Sequence, residues 1–388
     1  MEPATKKIAL LADFPLHVLP GAAFPAPAGH YATWLPQLAA GFAGQAGFEF
    51  HWLVLMAGVR DAKTFQAWNQ LFHILPAAAH GRAATLFWSD RRRIRRELQM
   101  IGPDLVHGWG SENIWGWAAA FSGYPNIFSL QGLLSEYQKL GGAGYRDRLM
   151  ALMEGLVLRK AQIITTESPW AKSLIELSTG RKDIRLVEYG VSPPFFEATI
   201  PASLPPAYAV MVGTADFRKG IDFAVQLFRR PALRRFSLKV VGGVTPYGQR
   251  WKLNSPENVQ WLGRKPQEEI IDLMTSARCL VLPTRADVCA NVVKEARVMG
   301  LPVVASPHGG HTQYIQDGKN GFLCPLDDVE AWEKALLKTF QEDGASLTMG
   351  SFLKKEHRAL LRPERTAQAF LALYREMFVQ EKDKKARA

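Results

Sequence analysis

Short apolar runs recur along the whole chain, and stretches with helical spacing separate them. The runs lack the polar alternation of half-exposed strands, which is typical of parallel strands buried on both faces. They predict strands over Ile8–Ala12, Phe50–Met56, Asp104–His107, Asn126–Leu130, Gln162–Thr166, Tyr208–Gly213, Phe236–Val241, Asn258–Leu262, Cys279–Pro283 and Pro302–Ala305. This alternation of strands and helices predicts an α/β protein with doubly wound, Rossmann-like parallel sheets.

The strand series stops before a proline-rich stretch and begins again at Tyr208, which predicts two domains. A chain of 388 residues is long enough to bury two separate cores. We assign an N-terminal domain to 1–192, a linker to 193–206, a second domain to 207–362, a C-terminal helix to 363–380 and a charged tail to 381–388. We expect the helix to cross back to the first domain and the tail to be disordered. Ligands of such sheets bind beyond the carboxyl ends of the strands, so we expect a site in the cleft between the domains.

Apolar residues make up 47% of the chain and charged residues 21%, which is typical of a globular protein. The apolar runs are much shorter than the roughly 20 residues that cross a bilayer. Asp13 interrupts the first run before a secretory signal could form, so we expect a cytoplasmic protein. The three cysteines have no Cys-x-x-Cys pair and no nearby histidine cluster. We therefore expect neither a disulfide framework nor a metal site.

The net charge of +11 indicates an anionic partner. Five arginines crowd one predicted helix that ends near Met100, at Arg91, Arg92, Arg93, Arg95 and Arg96. Two interpretations stay open: an ordinary solvated helix face, or a surface that attracts anionic lipid or a polyanionic acceptor at the inner face of a membrane. Nucleic acid is not expected as a partner, because neither a binding signature nor interleaved aromatic residues accompany the charge.

Asp287 and Glu295 bracket the change from a buried strand to a helix that begins near Asn291. The free N–H groups and the positive end of such a helix suit phosphate. The amide cradle would be lined by Cys289, Ala290, Asn291 and Val292. Both acids could reach hydroxyl groups of a sugar-like ligand whose phosphates sit between them, which predicts a nucleotide-sugar site. Cys289 is not expected to be a nucleophile, because no histidine and acid stand near it in the sequence.

A cationic segment follows the first strand of the second domain. Gly213 ends that strand, and Arg218 and Lys219 lie in the loop before the next helix. Lys219 could neutralise the charge that builds on a departing diphosphate. Taken alone the segment also fits a surface turn, but its position relative to Asp287 favours the functional interpretation.

Further motifs accompany these segments, namely Gly300-Leu-Pro-Val-Val, His308-Gly-Gly and Asp317-Gly-Lys-Asn-Gly-Phe-Leu323. Together with Lys219-Gly220 and the spacing from Asp287 to Glu295, they resemble the retaining glycosyltransferases of family 4, among the glycosyl transferases group 1. The resemblance covers nearly the whole chain and is strongest over about 208–330. It implies a GT-B fold, two Rossmann-like domains facing across a cleft, a UDP- or GDP-linked sugar as donor, and metal-independent transfer.

In that family the second acid of a Glu-x7-Glu motif holds the ribose, the first lies by the donor sugar, and a lysine contacts the diphosphate. The resemblance implies these roles for Glu295, Asp287 and Lys219. It also assigns to the donor the positions Gly213, Thr214, Arg218, Gly263, Arg264 and Gly29. Gly263 and Arg264 resemble the segment whose backbone reads the base, and Gly29 lies in a stretch like the family's first-domain glycine loop.

The second domain departs from the family pattern at two positions. Asp287 replaces the usual glutamate, which shortens the reach to the sugar by about one methylene without removing the charge. Thr214 replaces a common arginine, so phosphate neutralisation would rest on Lys219 with help from Arg218.

In the first domain, Asp104-Leu-Val-His-Gly-Trp109 resembles the family's Asp-x-x-His-x-His segment, with Trp109 in place of the second histidine. His107 or Glu112 could orient the acceptor or the sugar; His107 could equally be a structural histidine at the strand end. Trp109 and Gln131 are our acceptor candidates.

The resemblance implies a hexosyltransferase that acts in the assembly of a surface polysaccharide or glycolipid. It also implies that the leaving phosphate takes the acceptor's proton, so that no enzyme nucleophile is needed. The main alternative is a degenerate GT-B module that binds nucleotide or glycan without turnover, as Thr214, Trp109 and Asp287 suggest. A nicotinamide dehydrogenase ranks third, because the first strand is not followed by Gly-x-Gly-x-x-Gly.

Overall fold

The computed structural model describes residues 5–24, 32–78, 80–141, 144–198, 200, 208–341 and 345–387, with the backbone alone at 345–347 and 381–387. The chain forms two compact units. Unit 1 comprises Met1–Gly190 together with Pro363–Ala388, and unit 2 comprises Val191–Arg362. The C-terminal helix therefore belongs to unit 1.

The strands of the described residues are β1 (Lys6–Leu11), β2 (Phe48–Ala57), β3 (Lys63–Ala67), β4 (Gln70–Ala77), β5 (Leu105–Trp109), β6 (Asn126–Ser129), β7 (Ile163–Thr166), β8 (Ile184–Leu186), β9 (Tyr208–Val212), β10 (Ser237–Val241), β11 (Val259–Gly263), β12 (Cys279–Leu282), β13 (Val303–Ala305) and β14 (Gly321–Leu323). Each predicted strand overlaps an observed one. Four strands were missed, and they are β3, β4, β8 and β14.

The helices are α1 (Leu35–Phe42), α2 (Trp88–Ile101), α3 (Trp115–Ala120), α4 (Leu134–Lys139), α5 (Tyr145–Lys160), α6 (Pro169–Thr179), α7 (Pro193–Glu197), α8 (Ile221–Phe228), α9 (Pro246–Leu253), α10 (Gln267–Thr275), α11 (Asn291–Met299), α12 (Val329–Phe340), α13 (Ala345–Ser351), α14 (Lys354–Leu360) and α15 (Pro363–Arg387). In the part of the chain that the structure describes, no helix is both long and apolar enough to span a membrane.

Unit 1 contains an eight-stranded sheet in the order β3-β4-β2-β1-β5-β6-β7-β8. All its pairs are parallel except β3 with β4. Unit 2 contains a six-stranded sheet, parallel throughout, in the order β11-β10-β9-β12-β13-β14. In each sheet the strand order reverses beside the first strand, β1 or β9. Ligands of doubly wound sheets bind at this switch point, beyond the carboxyl ends of the strands.

Three of the four missed strands, β3, β8 and β14, have a weak local pattern, whereas β4 is a largely buried apolar run. β3 is polar and mostly exposed, and it joins β4 through Trp68 and Asn69, both at positive φ (49° and 57°). This backbone suits a tight hairpin turn, but tryptophan is not a usual residue for it. β8 and β14 are three residues long, so neither contains enough positions to show a periodic pattern.

The predicted linker starts too early. Pro193 and Pro194 open α7, because proline at the first positions of a helix loses no hydrogen bond there. Phe195 of that helix is 3% exposed and belongs to the core of unit 2. Most of the remaining linker, 199 and 201–206, lies outside the described residues. The helix predicted to end at 380 continues to Arg387, which contradicts a disordered tail at 381–387.

The core of unit 1 is unusually aromatic beneath α15. Trp34 stacks on Tyr189 with ring centroids 4.0 Å apart, and Phe370 of α15 meets the Trp109 ring edge-on. Gly41 of α1 allows the close approach of α15, because a β-carbon there would lie 2.5 Å from the β-carbon of Ala367. The last helix is thus held to unit 1 by packing against α1 and this aromatic cluster.

Candidate functional site

Two loops of unit 2 carry the residues with the strongest chemical pattern. One follows β9 and leads into α8, and the other follows β12 and leads into α11. β9 and β12 are hydrogen-bonded neighbours, with Cys279 opposite Ala209. Because parallel strands end at the same edge of the sheet, the two loops lie side by side.

A glycine lets these loops touch. Gly220 has a φ of +74°, in the left-handed region that favours glycine. A β-carbon at this position would also collide with the carbonyl oxygen of Pro283. The Lys219-Gly220 motif is therefore needed for close approach of the loops as well as for its charge.

Lys219 and Asp287 form an ion pair between the two loops. Arg218 Nη1 lies 3.5 Å from the same carboxylate oxygen and donates to the Ala286 carbonyl at 3.2 Å. Burial by itself would raise the pKa of Asp287, but Lys219 and then Arg218 lower it to about 2. Asp287 is thus ionised at neutral pH and holds two cations at the end of the sheet.

The N-terminus of α11 lacks a side-chain cap. Its N-cap residue is Ala290, which has no group that could accept a hydrogen bond from the first turn. Cys289, Ala290 and Val292 are buried, and Asn291 is half-buried. The predicted amide cradle therefore lies at a helix end whose N–H groups receive no cap from Ala290.

Glu295 lies one turn inside α11 and is half-buried. Its carboxylate has no hydrogen-bond or ion-pair partner among the described residues. Burial raises the pKa of Glu295 to about 7, and the neighbouring charge of Lys294 lowers it only in part. A buried carboxylate without a partner is costly, and hydroxyl donors on a ligand would relieve that cost.

The turn after β13 forms a hydrogen bond with the backbone of Asp287. The Gly310 N–H donates to the Asp287 carbonyl oxygen at 3.0 Å, and a β-carbon on Gly309 would collide with that same oxygen. His311, which the sequence reasoning missed, is fully buried and donates from Nε2 to the Ser306 carbonyl at 2.8 Å. Burial lowers the pKa of His311, which favours the neutral ring. The only local signal for it was its place directly after the glycine pair.

The predicted base-binding segment ends β11. Gly263 and Arg264 are exposed, and Arg264 packs against Gly243, where an added β-carbon would lie 3.1 Å from the guanidinium Nη2. Gly213 and Thr214 follow β9, which β10 separates from β11, and the Gly213 N–H donates to the Val241 carbonyl of β10 at 2.9 Å. These donor candidates therefore belong to the ends of two strands of one sheet, with β10 between them.

His107 is enclosed in the core of unit 1. It is fully buried, Nδ1 contacts the Tyr374 hydroxyl at 2.7 Å, and Nε2 contacts the Ser129 hydroxyl at 2.7 Å. Burial lowers its pKa well below the usual range. Both ring nitrogens are engaged, so these surroundings favour the structural interpretation over a role in orienting a ligand.

Trp109 is also a core residue. Its side chain is 2% exposed, and its ring stacks on His107 with centroids 3.5 Å apart and on Trp52 at 5.9 Å. This burial is unfavourable for the acceptor contact that we assigned to it. The tryptophan fills the position of the second histidine with apolar packing.

Glu112 and Gln131 lie together at the carboxyl ends of β5 and β6. The Glu112 carboxylate is accommodated by glycine on two sides, since a β-carbon at Gly110 would lie 2.6 Å from Oε2 and one at Gly132 would collide with Oε1. Gln131 Oε1 would be 3.1 Å from the Gly110 β-carbon. Gly29 lies outside the described residues.

Buried Glu154 of α5 holds these two loops and was missed by the sequence reasoning. Its carboxylate accepts from the Ser111 hydroxyl at 2.6 Å, the Leu134 N–H at 2.9 Å and the Ser135 N–H at 3.0 Å. Elsewhere, the three cysteines are buried and form no disulfide among the described residues. Among the described residues, no group of three or more His, Cys, Asp or Glu side chains could hold a metal ion.

Comparison with known proteins supports the nature of unit 2. Residues 196–355 match the family described as "Glycosyl transferases group 1", so unit 2 carries a domain of this kind. D-inositol 3-phosphate glycosyltransferase of Corynebacterium urealyticum is 30% identical over 119 residues, 31% of this chain and 28% of that protein. The amylovoran biosynthesis glycosyltransferase AmsK of Erwinia amylovora is 27% identical over 192 residues, 44% of this chain and 46% of that protein. The chain thus spans less than half the length of these curated relatives.

Solved structures match over nearly the full chain. Sucrose-phosphate synthase from Thermosynechococcus elongatus gives a TM-score of 0.79 at 20% identity, covering 97% of this chain and 100% of that one. Anabaena HepE, solved with UDP-glucose, gives 0.70 at 14% identity, with 95% and 99% covered. At these identities the likeness establishes the fold, which is the GT-B fold of two parallel-sheet domains. The predicted fold class is confirmed.

Proposed function

We propose that this protein is a retaining, family 4-like glycosyltransferase that moves a hexose from a UDP- or GDP-sugar to a glycan or glycolipid acceptor. The observation that carries the proposal is the set of cationic, N–H and carboxylate groups at one end of the unit 2 sheet. Two cations, Lys219 and Arg218, adjoin a helix end that Ala290 does not cap, and Glu295 of that helix has no partner among the described residues. Cations and N–H groups suit a diphosphate, and an unpaired carboxylate suits ribose hydroxyls.

In this proposal Glu295 accepts hydrogen bonds from the ribose, and Lys219 and Arg218 bind the diphosphate. Asp287 holds Lys219 while the site is empty and contacts the donor sugar when it is filled. The bond from the anomeric carbon to the diphosphate oxygen breaks as the bond to the acceptor oxygen forms. The acceptor's hydroxyl proton passes to the departing phosphate oxygen, and Lys219 stabilises the charge that develops there. No metal ion is required.

The comparisons support the donor more directly than the acceptor. HepE was solved with UDP-glucose, and AmsK is described as a glycosyltransferase of amylovoran biosynthesis. From the second of these we propose a role in surface polysaccharide assembly, with Glu112 and Gln131 of unit 1 orienting the acceptor.

The test is incubation with a panel of UDP- and GDP-sugars, followed by measurement of nucleotide binding and of nucleotide release with acceptor extracts. We expect saturable binding of one donor and transfer of its sugar, with both lost in Glu295→Ala. Absence of binding and of release with every donor would overturn the proposal.

A binding module without turnover is the second candidate. Thr214 stands where an arginine is common, and Trp109 is buried where a histidine is common. Saturable nucleotide binding that requires Glu295, without transfer to any acceptor, would favour this candidate.

We further propose that α2 attaches the protein to anionic membranes. All five arginines of α2 are exposed, whereas its two acids point inward, Asp90 to Arg82 at 2.6 Å and Glu97 to His73 at 2.7 Å. Trp88 at 61% and Met100 at 65% exposure add apolar side chains to the same helix. Exposed arginines beside tryptophan suit the lipid headgroup region.

Sedimentation with vesicles of phosphatidylcholine, with and without phosphatidylglycerol, tests this attachment. Binding is expected only with the anionic lipid, and a variant with Arg91, Arg92 and Arg95 changed to glutamate should lose it. The matched control changes three exposed lysines of other elements, Lys182, Lys252 and Lys355, to glutamate. Equal loss in both variants would show that net charge alone is responsible.

A further inference from the structure

Arg285 lies in the loop after β12, two residues before Asp287, and reaches across to the loop after β9. Its guanidinium forms a two-pronged ion pair with Asp222 of α8, with Nη1 and Nη2 at 2.9 and 2.7 Å from the two carboxylate oxygens. Nη1 also donates to the Phe217 carbonyl at 2.5 Å, and the guanidinium lies over the Phe217 ring at 3.8 Å from its centroid. The Arg285 side chain therefore binds both Asp222, in the first turn of α8, and Phe217, the residue before Arg218.

Backbone contacts join the same two loops. The Arg285 N–H donates to the Arg218 carbonyl at 2.7 Å, and the Thr284 hydroxyl donates to that carbonyl at 3.1 Å. Thr284 and Arg285 thus hold the Arg218 backbone, and Asp287, two residues after Arg285, pairs with Lys219. Bidentate arginine pairs fix orientation as well as adding energy.

Arg285 is not available to bind a ligand directly. Asp222 takes both ends of its guanidinium, and the two side chains are only 20% and 13% exposed. Its charge is balanced within unit 2 by Asp222, whereas Lys219 and Arg218 both contact Asp287.

We propose that Arg285 is a positioning residue that holds Lys219 and Arg218 in place for the diphosphate. The inference rests on the proposed function and adds a specific consequence to it. Without Arg285, the base and ribose contacts at Glu295 and β11 stay intact, but the two cations are no longer held at the phosphate position. The loss should therefore fall on nucleoside diphosphates and spare nucleoside monophosphates, which carry one phosphate fewer.

Calorimetric titration of UDP, UMP, GDP and GMP into the full-length protein tests this. For the base that the protein binds, Arg285→Ala should weaken diphosphate binding about tenfold and change monophosphate binding less than about twofold. Arg285→Lys should recover part of the diphosphate preference, since it keeps a donor but loses the fork. Asp222→Asn should reproduce the effect, and adding it to Arg285→Ala should cause little further loss.

Arg230→Ala is the matched control. Arg230 also forms an ion pair in unit 2, with Glu333 at 2.5 Å, but it lies on neither loop of the site. The control should leave the preference for diphosphate unchanged. Equal weakening of diphosphate and monophosphate in Arg285→Lys, or no weakening in either Arg285 variant, would overturn the inference. If the unmodified protein binds none of the four nucleotides, the proposed function fails instead.

Discussion

The carboxylates of Asp287 and Glu295 titrate in different pH ranges because their neighbours differ. Asp287 contacts two cations and has a pKa of about 2, and Glu295 has no partner among the described residues and a pKa of about 7. The first acid is held in place by the protein, and the second is the one that we propose to bind a ligand. Sites built for ligands often contain such locally unfavourable groups.

Glu295→Gln should make the protein more stable at pH 8 while it abolishes nucleotide binding. The folded-state pKa of Glu295 is raised, so its charge costs stability once pH exceeds the unfolded pKa near 4, and the cost is complete above about pH 7. We expect a gain of up to about 2 kcal/mol at pH 8, reduced for the partial exposure, and almost none at pH 4. Urea unfolding at both pH values measures this. An equal effect at both would contradict an unpaired carboxylate.

Asp287→Asn should have the opposite effect on stability. The folded-state pKa of Asp287 is lowered, so its contribution is present above about pH 4 and is lost as pH falls towards 2. The variant should lose roughly 2 kcal/mol at pH 7 and much less at pH 3, because Lys219 loses its partner. The control, Asp183→Asn, removes an ion pair with Arg181 whose acid is 56% exposed, and should cost less than about 1 kcal/mol. A similar cost for both variants would argue against a buried ion pair at the site.

Among the secondary-structure elements, α5 fixes two loops that are distant from it in sequence, through its residue Glu154. From α5 its carboxylate accepts the first two N–H groups of α4 and ties down Ser111, beside Glu112. The loops that carry the acceptor candidates are therefore set by one buried acid. The helical pattern of α5 predicts where Glu154 lies along the chain, but not which loops it meets.

Glu154→Gln should destabilise unit 1 by about 2 kcal/mol, because an amide donor replaces one of the accepting oxygens. Hydrogen exchange of residues 131–139 should quicken at the same time. Glu176→Gln on α6 is the control, since its lysine partners lie 3.8 and 4.0 Å away near the surface, and it should cost less than about 0.5 kcal/mol. Unchanged exchange at 131–139 would show that α4 does not depend on this cap.

In the whole molecule, the arginine-rich helix and the candidate donor site belong to different units. The outward arginines belong to α2 of unit 1, and the paired cations of the candidate donor site belong to unit 2. The positive charge of the chain, +11 in total, therefore does not lie in one surface patch.

Hydrogen exchange in excess UDP or GDP should show this separation. We expect slower exchange at 213–220 and 286–296, the two loops and the start of α11, and no change at 88–101, because a ligand stabilises the segments that it orders. Slowing that is confined to 88–101 would place the nucleotide on the arginine helix and contradict the donor assignment.

Elements whose signal is local could be predicted from the amino-acid sequence. A strand buried on both faces must be a continuous apolar run, so every inner strand of both sheets except β4 was predicted within a few residues. The start of α11 and the places of Asp287 and Glu295 on either side of it also follow from neighbouring residues. Gly300 at a φ of +87° marks the end of the same helix.

The contacts between these residues follow from the folding of distant segments onto one another. Lys219 reaches Asp287 across 68 positions, Arg285 reaches Asp222 across 63, and His107 reaches Tyr374 across 267. No periodic pattern encodes such pairs, since they depend on strand order and on the side chains that pack between elements. The surroundings of each candidate site residue depend on the tertiary structure for the same reason. His107 and Trp109 are enclosed in the core of unit 1, whereas the Glu295 carboxylate has no partner among the described residues.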